Sequence, residues 1–112
     1  MLLSTAAMGG ESTVRAWIAT EPTPQGVRVI PYAQAREPHT LRYELISAKE
    51  GVSGHSNSRQ AGQVSVDCCE PKALVQLRLS IQPGERYTLI LRLFDNGSLV
   101  AEDRLIFPVE TI

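Results

Sequence analysis

The chain predicts an all-β fold, a seven-stranded immunoglobulin-like β-sandwich, and three observations carry that expectation. From Val14 onward, short runs rich in Val, Ile, Leu, Tyr and Thr recur about every 10 to 14 residues, bounded by Gly, Pro, Asn or Asp clusters, the rhythm of a sandwich. Within the runs the apolar residues alternate with a period of two, and no longer window carries a 3.6-residue apolar repeat. Asp95-Asn96-Gly97-Ser98 supplies the clearest turn, because Asn-Gly accepts the two positive φ angles of a type I′ turn and so predicts a hairpin.

Taken in order, the first strand is expected over Val14 to Thr20, with Trp17 adding a large core contact. Glu21-Pro22-Thr23-Pro24-Gln25-Gly26 breaks it, since prolines cannot donate to a ladder. The second strand runs from Gly26 to Ala35, and Pro31 inside it implies a bulge or an edge position. Leu41, Tyr43 and Leu45 alternate with Arg42 and Glu44 in a third strand, Thr40 to Lys49. A polar stretch, Gly51 to Gly62, is read as a loop running into a fourth strand, Ala61 to Asp67. The strongest alternation sets Val75, Leu77, Leu79 and Ile81 against Gln76, Arg78 and Ser80, a fifth strand over Leu74 to Ile81. Gln82-Pro83-Gly84-Glu85 turns the chain into a sixth strand, Arg86 to Phe94, whose Tyr87, Leu89, Leu91 and Leu93 face inward. The seventh is Leu99 to Pro108. Each large apolar side chain placed inside is worth roughly 1.5 to 3 kcal/mol, most of it offset by the entropy of ordering the chain.

One domain is expected over residues 13–112, preceded by a disordered leader or signal-peptide remnant over residues 1–12; Met1 to Met8 has small and apolar residues but lacks a basic start. No apolar run approaches the roughly 20 residues that a membrane-spanning helix requires. Eleven Lys plus Arg against twelve Asp plus Glu leave a net charge of -1, so no global field draws the protein to nucleic acid or an anionic membrane. Nine of the eleven are Arg, whose guanidinium suits amides, carboxylates and aromatic faces, and this skew favours a protein-binding surface. Cys68 and Cys69 are adjacent, and neighbouring strand residues point to opposite faces; the expectation is two thiols, one inward and one outward, with a vicinal redox pair as the alternative.

Catalytic and cofactor signatures are missing. Gly51, Gly54 and Gly62 precede a strand, where a phosphate cradle opens a helix. His39 and His55 have no carboxylate or thiol at a metal-ligand spacing. Ser53, Ser56 and Ser58 beside His55 read as solvated polar residues. The expectation is therefore a non-enzyme with no cofactor and no metal. The remaining feature is a surface. Alternation sends Arg42, Arg92 and Arg104 to the solvent side of the third, sixth and seventh strands as a cross-strand row, with Glu44 and Glu102 neutralising part of it. Ile46, Ile90, Phe94 and Ile106 share that parity, giving either an ordinary solvated face or a mixed binding face.

The polar stretch Gly51-Val52-Ser53-Gly54-His55-Ser56-Asn57-Ser58-Arg59-Gln60-Ala61-Gly62, with the closing segment from Gly84-Glu85-Arg86-Tyr87 to Phe107-Pro108, resembles the CsgC/CsgH-like periplasmic curli chaperone family, on its CsgH side, over nearly the whole chain. The resemblance implies a monomeric periplasmic protein that keeps the amyloidogenic major curli subunit from forming cross-β ladders too early. It further implies a basic sheet face as the client-binding surface, here Arg42, Arg92 and Arg104, with Arg78 and Arg28 as further members. The Cys-x-Cys pair of CsgC does not carry over, because the thiols here are adjacent. Two other readings stay open: a structural or adhesive module, whose mark would be a long edge strand, and a thiol oxidoreductase.

Overall fold

A computed structural model describes residues 13–52 and 54–107 and places them in eight strands, with no helix among them. They are β1 (Val14–Thr23), β2 (Gly26–Ala35), β3 (His39–Gly51), β4 (Gly54–Val66), β5 (Lys72–Ala73), β6 (Leu77–Leu79), β7 (Arg86–Asp95) and β8 (Ser98–Phe107). One sheet has the order β1-β2-β5, with β6 also on β2; the other has the order β4-β3-β7-β8, and every pairing within the two sheets is antiparallel. The expectations for residues 1–12 lie outside the described residues.

The count is eight because a short pairing at Lys72–Ala73 precedes the expected fifth strand, of which Leu77–Leu79 is paired, and Pro31 explains the gap between the two. Thr23 and Gly26 close a two-residue turn, so alternate residues of β2 bond to β1 and the others, Pro31 among them, point at the third strand. Pro31 has no N–H to give there. The β1–β2 register runs through Ile18↔Pro31 unbroken, whereas the third strand pairs at Lys72 and Ala73, leaves the ladder, and rejoins at Leu77. Pro31 keeps only its acceptor in use, taking the Leu74 N–H at 2.9 Å. The irregularity expected at Pro31 thus falls on its neighbour.

Leu41, Leu45, Leu89, Leu91 and Leu93 are fully buried between the sheets against Val29, Ala33 and Ala35, as the alternation of the third and sixth expected strands requires. Trp17 is a correction. Ala16 and Ile18 pack on the core, so the pleat turns Trp17 outward, where it is half-buried and stacks on Tyr32 with ring centroids 5.4 Å apart and Arg15 over its face. The β7–β8 turn is as expected, with Asn96 at φ 52° and Gly97 at φ 84°. Along one side β1 lies against β8, and the Ile18 N–H donates to Asp103 Oδ2 at 2.9 Å.

The polar stretch read as a loop is a second correction. From Gly54 the chain pairs with β3 residue for residue, Gly51↔Gly54 to His39↔Val66, and residues 54–61 are exposed. Main-chain pairing holds this first part of the strand, so it has no apolar alternation to display. Cys68 and Cys69 are the third correction: both are exposed and bonded to each other as a disulfide. They lie in the connection between β4 and β5, beyond the regular ladder, so the facing argument for strand neighbours does not apply.

Candidate functional site: the outer face of the four-stranded sheet

The registers of β4, β3, β7 and β8 fix which side chains share the solvent face of their sheet. The first three of the four rows that cross all four strands are Gln63, Arg42, Phe94 and Leu99; then Ala61, Glu44, Arg92 and Glu102; then Arg59, Ile46, Ile90 and Arg104. Asn57, Ala48, Thr88 and Ile106 follow, and His55, Glu50 and Arg86 end the face. Five arginines therefore stand against three carboxylates, interleaved with aliphatic and aromatic groups. Arg42, Arg92 and Arg104 are brought onto one face, but on a diagonal of successive rows, because antiparallel register sets Arg42 opposite Phe94 and Arg92 opposite Glu44.

Glu44 anchors the face. Only 6% exposed, it accepts hydrogen bonds at Oε2 from Arg59 at 2.6 Å and from Arg42 at 2.8 Å. The Arg59 hydrogen bond foremost, with that of Arg42, holds its carboxyl below the ordinary carboxylate value even though burial pushes the other way. Arg42 also lies over the Phe94 ring, 5.4 Å from its centroid, which leaves the guanidinium fixed and half-exposed. Arg92 donates from Nε to Glu102 at 2.9 Å. Arg104 has no carboxylate partner among the described residues, so it is the cation of the diagonal most available to an incoming group. Near it Ile106 is 46% exposed.

The other two sequence-predicted residues are elsewhere. Arg28 and Arg78 oppose each other on β2 and β6, in the other sheet, and Arg28 is ion-paired with Glu21. The five arginines do not form one surface. Sequence reasoning missed Arg86, which shares the parity of Arg92 on β7, and Arg59, which lies in the stretch read as a loop; the signal that could have found Arg59 is the parity it shares with Asn57, Ala61 and Gln63 once the stretch is paired with β3. No group of three or more His, Cys, Asp or Glu among the described residues is arranged to hold a metal ion. The hollow beside Arg42, Gln63, Phe94 and Asn96, about 450 Å³, is open to solvent.

Comparison with known proteins places the chain in a family. Residues 10–105 match the family described as thin aggregative fimbriae synthesis protein, Tafi-CsgC. The chain belongs to that family. Curli assembly protein CsgC of Escherichia coli K12 is 31% identical over 71 residues, which are 63% of this chain and 64% of that protein. CsgC of Salmonella typhimurium is 28% identical over 71 residues, 63% of this chain and 66% of that protein. The chain thus spans just under two thirds of the length of these relatives. In three dimensions it resembles the E. coli curli protein CsgC with a TM-score of 0.72 at 25% identity, covering 86% of this chain and 99% of that one. The solution structure of R. palustris CsgH shares the fold, with a TM-score of 0.64 at 18% identity over 80% of this chain and 89% of that one. Of these two structures CsgC is the more similar on both measures, and membership of the family rests on the match over residues 10–105.

Proposed function

We propose that this protein is a periplasmic, non-enzymatic, chaperone-like inhibitor of amyloid formation by the major curli subunit. It acts as a monomer on an immunoglobulin-like frame, through brief and partly electrostatic contacts of the outer face of the β4-β3-β7-β8 sheet. The observation that carries the reading is the composition of that face in a member of this family: fixed arginines beside exposed Ile106 and Leu99. Such a surface grips an acidic or amide-rich chain loosely, and its charged part weakens as salt screens it. The test is a triple substitution, Arg42→Ala with Arg92→Ala and Arg104→Ala, in a fibre-formation assay of the curli subunit. Loss of inhibition, together with a decline of wild-type inhibition as salt rises, is expected; full inhibition by the triple variant would move the active surface elsewhere.

A second reading, a structural or adhesive module of a surface assembly, is favoured by one observation, the 13-residue edge strand β4. The two separate by stoichiometry. A module yields stable one-to-one complexes in sedimentation, whereas the inhibitor works far below equimolar amounts without them.

A further inference from the structure

Strand β4 is the outer strand of its sheet among the described residues, and its outward main-chain groups can be assigned. Lys72 Nζ donates to the Ser65 carbonyl oxygen at 3.0 Å, so that carbonyl points away from β3. In an antiparallel strand the N–H and C=O of one residue point the same way and alternate along the chain. The register with β3 shows no shift over its length, so His55, Asn57, Arg59, Ala61 and Gln63 also aim their N–H and C=O groups outward. The two-residue connection between the paired Gly51 and Gly54 demands the same phase independently.

Natural sheets usually blunt such an edge with proline, a bulge, an unpaired lysine or a covering element. From His55 to Gln63 there is no proline and no bulge, and Arg59 is tied down by Glu44. The Lys72 cover reaches only Ser65. Residues 54–61 are exposed on both faces, so a strand added here would bury almost nothing apolar. What the edge offers laterally is hydroxyl and amide chemistry: Ser56, Asn57, Ser58, Gln60 and Gln63. Amide side chains directly opposite one another on paired strands hydrogen-bond into ladders.

We propose that the His55–Gln63 edge of β4 accepts an extended, uncharged, amide-rich segment of a partner by main-chain pairing, in the manner of an added strand. The proposal deepens the reading above by naming where a client segment is held, and it rests on that reading only for the client's identity. The probe is a soluble peptide of about ten residues rich in Asn, Gln and Ser, added to the whole protein, with solvent exchange of backbone amides read by NMR. At ten times its Kd the peptide should slow exchange about tenfold at His55, Asn57, Arg59, Ala61 and Gln63, leaving the ladder-bonded Ser56, Ser58 and Gln60 unchanged. That alternation should vanish with a peptide N-methylated on alternate residues, a control needing no change to the protein. It should vanish also in Asn57→Pro with Ala61→Pro, which removes outward N–H groups and spares the β3 ladder.

Unchanged exchange at those five amides, or perturbation confined to the arginine face, would overturn the proposal. So would alternating protection that is present without peptide and grows with protein concentration, since the occupant would then be a second copy of this chain. Edge protection with an unaltered curli fibre lag would keep the acceptor edge and remove the client, whereas a lengthened lag with silent edge amides would do the reverse.

Discussion

Strand β8 ends its sheet against β1, where Asp103 takes the Ile18 N–H, while β4 ends the same sheet in water along residues 54–61. At the first edge a carboxylate reaches across the gap between sheets and satisfies a donor that β2 cannot use; at the second a lysine covers one carbonyl, and from His55 to Gln63 no other strand pairs outside β4 among the described residues. The contrast separates two tasks. The β1/β8 side closes the core, with Ile18 packed beneath it, whereas β4 gives the core only its far end, Val64 and Val66, and residues 54–61 contribute surface. An edge that stability does not need closed is free to be used.

The largest expected effect comes from breaking the closed edge. Asp103→Ala strands the Ile18 N–H and should cost about 1–3 kcal/mol in denaturant unfolding. A substitution of similar size tests a point where β4 meets the interior: a Cβ at Gly62 would sit 3.0 Å from the Tyr43 ring, so Gly62→Val should displace that ring and cost about 1–3 kcal/mol. A pH-dependent difference should follow Glu44. Its carboxyl titrates below the ordinary value in the folded state, so its contribution is present at neutral pH and lost as pH falls through the ordinary carboxylate range and then through the lowered value. The gap in unfolding midpoint between wild type and Glu44→Gln should accordingly shrink on acidification; a gap that widened would place the carboxylate's role elsewhere. Smallest is Lys72→Ala, which uncovers the Ser65 carbonyl at an exposed position and should change stability by no more than about 0.5 kcal/mol. A Cys68→Ser with Cys69→Ser variant that keeps full inhibition would remove the redox reading altogether.

The two edges also differ in how far the sequence foretells them. The β7–β8 hairpin is legible because both of its signals are local, an alternating run with Leu89, Leu91 and Leu93 inside and an Asn-Gly turn. Trp17 was equally legible by parity, since Ala16 and Ile18 claim the inner face; its size argued for burial and its position decided otherwise. The first half of β4 is illegible by the same logic, for a strand wet on both faces needs no apolar period and owes its form to β3. Pro31 announced an irregularity but not its side, which depends on the phase of the β1–β2 turn. Parity found Arg42, Arg92 and Arg104 on one face, yet nothing local says that Arg28 and Arg78 belong to the other sheet.

The central claim, that this protein delays amyloid nucleation, is tested most directly by the lag of curli major-subunit fibre formation, followed by dye fluorescence with the protein well below equimolar. The account predicts a lengthened lag at that dose, shortening again as salt is added. Kinetics unchanged at both low and equimolar doses would contradict it.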